Sequence, residues 1–80
     1  MRSDTVLVKT PRGRDEIETR THELTAMQRR LLILVDGERS VGAMTELLGR
    51  SGGDPVILRD LKWLEEGRYI DRAEELDMLA

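Results

Sequence analysis

The chain reads as a mostly helical α+β domain, and three observations predict that class. Three apolar helical patterns follow one another within Leu31–Ile70, parted by Asp36-Gly37 and by a glycine-rich break at Gly49–Gly53. A β-branched apolar run stands ahead of them at Thr5–Lys9, and Gly67-Arg68-Tyr69-Ile70 behind them suits a second short strand. The helix, helix, helix, strand order is that of a winged helix-turn-helix. It predicts a three-helix core with an extra N-terminal strand and short helix, and a minimal two-stranded sheet.

Thr5–Lys9 is the first strand, ended by Thr10-Pro11. Thr10 suits an N-cap and Pro11 the first helical position, where a missing N–H costs nothing. The short helix that follows carries Asp15 and Glu16 early, runs toward Arg20 and has Ile17 as its clear apolar anchor. So short a helix holds only by docking on something larger. Thr25 caps the next helix, with Met27, Leu31, Leu34 and Val35 on one face, Leu32 and Ile33 extending it, and Gly37 as terminator. Ser40 caps a third helix with Val41, Met44, Leu47 and Leu48 inward. Asp54-Pro55 opens the fourth, whose stripe is Ile57, Leu58, Leu61 and Leu64 and whose stop is Gly67. Tyr69-Ile70 then pairs with Val6–Val8, since neither short strand is stable alone. Residues 1–4 and 72–80 are expected to fray, the latter around Leu76, Met78 and Leu79.

Eighty residues make a single domain near the lower size limit for a self-sufficient core. With no cysteine there is no disulfide, thiolate metal site or cysteine nucleophile. One histidine, His22, rules out a set of several imidazole ligands. Trp63 and Tyr69 are the only aromatics, so the core is aliphatic. No segment reaches the roughly 18 uncharged apolar residues of a membrane span, and Met1-Arg2-Ser3-Asp4 lacks a secretory core; a cytoplasmic protein is expected. The net charge of −3 is unevenly spread: residues 1–30 carry seven basic groups against five acids, and residues 31–80 six against eleven.

A search for catalytic chemistry returns little. Ser3, Ser40 and Ser51 read as terminus, cap and loop, without a base beside them. His22 reads as a linker residue rather than a general base. Neighbouring helical carboxylates, as at Glu65-Glu66 and Glu74-Glu75, diverge and do not converge on one substrate atom. Gly49-x-x-Gly52-Gly53 precedes a helix N-terminus but lacks both the Lys-Ser/Thr pair and the preceding strand of a phosphate loop. No enzyme activity, cofactor or metal is expected.

The winged-helix order invites nucleic-acid binding through the helix at Pro55–Glu66. Its polar residues, Arg59, Asp60, Lys62, Glu65 and Glu66, count as net acidic, which disfavours phosphate. Arg12, Arg14, Arg29 and Arg30 are the better anion-facing candidates, or else surface arginines paired as Arg12–Glu16 and Arg14–Glu18. Protein binding is the other class. Val56 and Trp63, seven residues apart, point the same way and off the inward stripe, with Arg59 between them. Trp63 is either an interface anchor or the edge of the core, and Ile33 is a second candidate for intermolecular burial.

The phrase LLILVDGERSV…LLG…LEEGRYI within Leu31–Ile70 is similar to the helical part of PqqD-like peptide-recognition domains. That resemblance covers about half the chain and implies an accessory domain that delivers a peptide to an enzyme. PqqD-like domains open with a three-stranded sheet, where this chain has one strand and then a helix from Thr10-Pro11. The whole chain, with VKTPRGRDEIETRTHELT before LLILVDG, looks like a set of short proteobacterial proteins of winged-helix appearance, which implies a fold and a bacterial lineage. The leading expectation is a non-enzymatic, regulatory or protein-interaction module that binds another protein or itself. A DNA-binding transcriptional regulator ranks second and the peptide-delivery domain third.

Overall fold

The computed structural model describes residues 1–19, 24–50 and 54–73. The expectations for His22, for Gly52-Gly53 and for the 74–80 tail lie outside these residues. The elements are β1 (Leu7–Lys9), α1 (Pro11–Thr19), α2 (Ala26–Leu34), α3 (Val41–Leu47), α4 (Pro55–Glu66) and β2 (Ile70–Arg72). The protein is mostly helical α+β, with four helices and one two-stranded antiparallel sheet among the described residues.

Local chemistry starts each helix where the sequence predicts it. The Thr10 hydroxyl accepts from Gly13 N–H at 3.0 Å. Thr25 and Gln28 form a reciprocal capping box on α2. Ser40 accepts from Ala43 N–H, and the Asp54 carboxylate from Val56 and Ile57 N–H. β1 and β2 pair with Leu7 opposite Arg72 and Lys9 opposite Ile70. The other edge of β1 is also occupied: Val6 bridges Ser40, and Leu7 C=O accepts from Gly37 N–H. Upstream, Ser3 C=O accepts from Gly42 N–H at 2.7 Å, which ties the first residues to α3.

The core comprises Leu7, Leu31, Leu32, Val35, Val41, Met44, Ile57, Leu61, Leu64, Tyr69 and Ile70. α4 packs on α2, and α1 lies across α2 and β1. Gly13 lets α1 come close to the turn after α4, because a Cβ there would overlap the Tyr69 carbonyl oxygen. The same carbonyl accepts from Thr10 N–H, so the start of α1 is fastened to the turn after α4. A second fastening is ionic: Arg29 of α2 reaches Glu16 of α1, which is 3% exposed, at 3.5 Å.

Four details differ from the sequence reading. Leu47 is 59% exposed and Thr45 takes its inward place. Thr45 is four residues from Val41 and shares its face, its hydroxyl bonding back to Val41 C=O, whereas a sixth-residue step turns away. α2 ends at Leu34 with Val35 as its cap, so Gly37, at φ +80°, serves the next turn instead. There the Asp36 carboxylate accepts from Glu38 and Arg39 N–H. After α4 it is Arg68, not Gly67, that adopts the left-handed conformation, at φ +68°. Arg68 N–H bonds Glu65 C=O and Tyr69 N–H bonds Leu64 C=O, the paired bonds of a Schellman ending. Gly67 is needed for space, since its Cβ would stand 2.8 Å from the Tyr69 ring. Finally, the strand bounds shift: β1 begins at Leu7 rather than Thr5, and β2 begins at Ile70 rather than Tyr69 and includes Arg72, where fraying was expected to start.

Candidate interaction face on helix α4

The face begins with the phase of α4. Burying Ile57, Leu61 and Leu64 turns Pro55, Val56, Arg59, Lys62, Trp63 and Glu66 outward. At about 100° per residue, these outward residues form one continuous stripe. Val56 and Trp63 are 37% and 39% exposed, less than Leu47 or Ile33, but they lie side by side on one helix face.

Trp63 is held in place from within. Its ring stacks on Tyr69 with centroids 5.9 Å apart and planes 13° from parallel. Tyr69 is itself buried, and the Arg12 guanidinium lies 4.8 Å from its ring centre and bonds its hydroxyl at 3.3 Å. A chain of contacts thus runs from α1 through the post-helix turn to an aromatic that is half in solvent. Sequence reasoning paired Trp63 with Val56 but not with Tyr69. The available signal was that the only two aromatics flank one helix stop.

The charge of the stripe differs from a count along the sequence. Asp60 is 5% exposed and faces α2, where the Gln28 amide nitrogen lies 3.4 Å from its Oδ1. Glu65 is engaged by Arg72 at 2.8 Å. Only Glu66 among the three α4 acids stands on the exposed stripe, against Arg59 and Lys62. The net-acidic count of the helix therefore does not describe its outer stripe: packing removes one carboxylate and a strand-borne arginine pairs with another. Arg59, its side chain 72% exposed, leans to within 3.6 Å of the Asp60 carboxylate at the rim.

The four arginines considered for nucleic acid divide. Arg12 rests on Tyr69, and Arg29 is committed to Glu16, bonding also to the Glu16 carbonyl oxygen at 3.4 Å. Arg14 is exposed beside a cavity of about 140 Å³ shared with Val8, Lys9, Val35, Asp36 and Gly37, and Arg30 is exposed on α2. Ile33, 54% exposed, also stands on the outer side of α2.

Beside the stripe, Met1, Leu58, Lys62, Glu65 and Arg72 enclose a shallow pocket of about 160 Å³. At the N-terminus of α4, burial raises the Asp54 pKa, but the Arg50 hydrogen bond and the Ile57 and Val56 N–H groups outweigh it. The carboxyl is held below its ordinary value. Among the described residues no cluster of three metal-ligating side chains occurs, and no helix is long and apolar enough to cross a membrane. Comparison with protein-family models, curated proteins and solved structures gives no match to this chain.

Proposed function

We propose that the chain is a non-enzymatic interaction module that contacts another protein through the outward stripe of α4, on a winged-helix-like scaffold. One observation carries the reading: Val56 and Trp63 share an exposed helix face, and Trp63 is pre-positioned there by its stack on Tyr69. A rigid, half-exposed aromatic loses little freedom on docking, which is why such side chains dominate binding energy at protein contacts.

Site-specific photo-crosslinking tests it. A photoreactive residue at position 66, exposed on the same stripe, is expected to trap a partner, or a second copy, that the same probe at exposed position 39 does not. Equal trapping from both positions overturns the reading. Light scattering of the purified chain then separates a second copy from a foreign partner.

A second reading, a DNA-binding regulator, gains from the burial of Asp60, which leaves Arg59 and Lys62 against one exposed acid on the stripe. Fluorescence anisotropy with duplex DNA at two salt concentrations tests that reading. It requires affinity that falls steeply with salt and is lost on replacing Arg59 and Lys62.

A further inference from the structure

We infer that the segment recognised by α4 is acidic and carries aliphatic side chains; this rests on the reading of α4 as the contact face and names the chemistry of its partner. The argument lies in the order of side chains around the helix. At about 100° per residue, the order runs Leu58, Lys62, Pro55, Glu66, Arg59, Trp63, Val56. Arg59 and Lys62 form a ridge at mid-helix, with Glu66 one turn beyond Lys62 at the C-terminal end and an apolar border on each side.

One border is the exposed pair Val56 and Trp63. The other is Leu58, which with Met1, Lys62, Glu65 and Arg72 lines the adjoining pocket. Its volume of about 160 Å³ admits one aliphatic side chain. Lys62 thus belongs to both the ridge and the pocket.

Charge complementarity selects the occupant. Carboxylates spaced one turn apart on a partner helix match Arg59 and Lys62, which are themselves one turn apart. Aliphatic side chains beside those carboxylates cover the two borders and remove Val56 and Trp63 from water. A phosphate backbone fits less well, since it places no apolar surface on either border. A basic segment meets the ridge with like charge. Arg12, stacked on Tyr69 behind Trp63, adds positive potential at the aromatic end.

The sole tryptophan makes the test direct. Trp63 emission of the full chain is followed while adding a short synthetic peptide of Glu-Glu-Leu-Leu blocks. Parallel titrations use Lys-Lys-Leu-Leu and Glu-Glu-Ser-Ser peptides of equal length, and duplex DNA. The expected result is a saturable change with the first peptide only. The affinity should drop about tenfold or more in the Arg59→Glu/Lys62→Glu variant, because both attractions become repulsions. Circular dichroism of that variant is expected to be unchanged, as both positions are exposed.

Preference for the lysine peptide, equal binding of the serine peptide, tighter binding of DNA, or no saturable change with any probe overturns the inference. The contact-face reading fails on separate grounds, namely crosslinks that do not favour α4.

Discussion

Gln28 donates from α2 to Asp60 on α4, with 3.4 Å between amide nitrogen and carboxylate oxygen, inside the interface that joins the two helices. The oxygen of the same amide accepts from Thr25 N–H at 3.0 Å. One side chain therefore closes a helix cap and satisfies a buried acid. Gln28→Ala is expected to cost about 1–3 kcal/mol, since it leaves a buried acceptor short of a partner and opens the capping box. Urea denaturation should show a lower midpoint at an unchanged slope. A midpoint equal to that of the parent protein contradicts this account.

Gly13 inverts the usual helix rule. Alanine in place of a mid-helix glycine ordinarily gains about 1 kcal/mol. Here the new methyl overlaps the Tyr69 carbonyl oxygen, a backbone atom that has no rotamer to escape into. Gly13→Ala is expected to lose about 1–3 kcal/mol by overpacking. Thermal unfolding is the measure, and a raised transition temperature rules the close approach out.

Arg68 supplies the opposite case. It occupies a left-handed conformation that costs an L-residue about 1–2 kcal/mol relative to glycine. Part of that is returned by the greater freedom of glycine in the unfolded chain. Arg68→Gly should therefore stabilise the protein by up to about 1 kcal/mol, read as a shift in denaturation midpoint.

Two carboxyls contribute to acid stability. Asp36 is held below its ordinary value by the N–H groups of Arg39 and Glu38, and Asp54 by the Arg50 contact and the Ile57 and Val56 N–H groups against an opposing burial effect. A carboxyl depressed in the folded state contributes stability above its unfolded pKa and loses it as pH falls through the folded one. The loss is expected from about pH 3.8 downward, the ordinary value for both groups. Asp54→Asn keeps a cap acceptor but cannot titrate, so the acid limb of its stability curve should be shallower. An identical limb in the two proteins contradicts this.

The elements were legible because their signals are local. Thr25, Ser40 and Asp54 each mark a helix start through bonds made two or three residues away. The burial of Glu16, Thr45 and Asp60 was not legible. Whether a carboxylate faces inward depends on what a different helix offers it, and Arg29 and Gln28 lie 13 and 32 positions from Glu16 and Asp60. The same limit governs the candidate face. The spacing of Val56 and Trp63 gave their shared direction, while the charge beside them depended on Asp60 and Arg72, which only packing could place. Leu47 failed for a simpler reason, since a six-residue step does not return to the same side of a helix.

The pairing of Leu7 with Arg72 has a mechanical consequence. The two strands run antiparallel, and both outward chain directions leave the pair at the same end. Tension applied between positions 6 and 73 thus loads the inter-strand hydrogen bonds one after another rather than all together. Such a pair opens like a zip at low force, and once it parts, Leu7 and Ile70 are drawn out of the core they help to close.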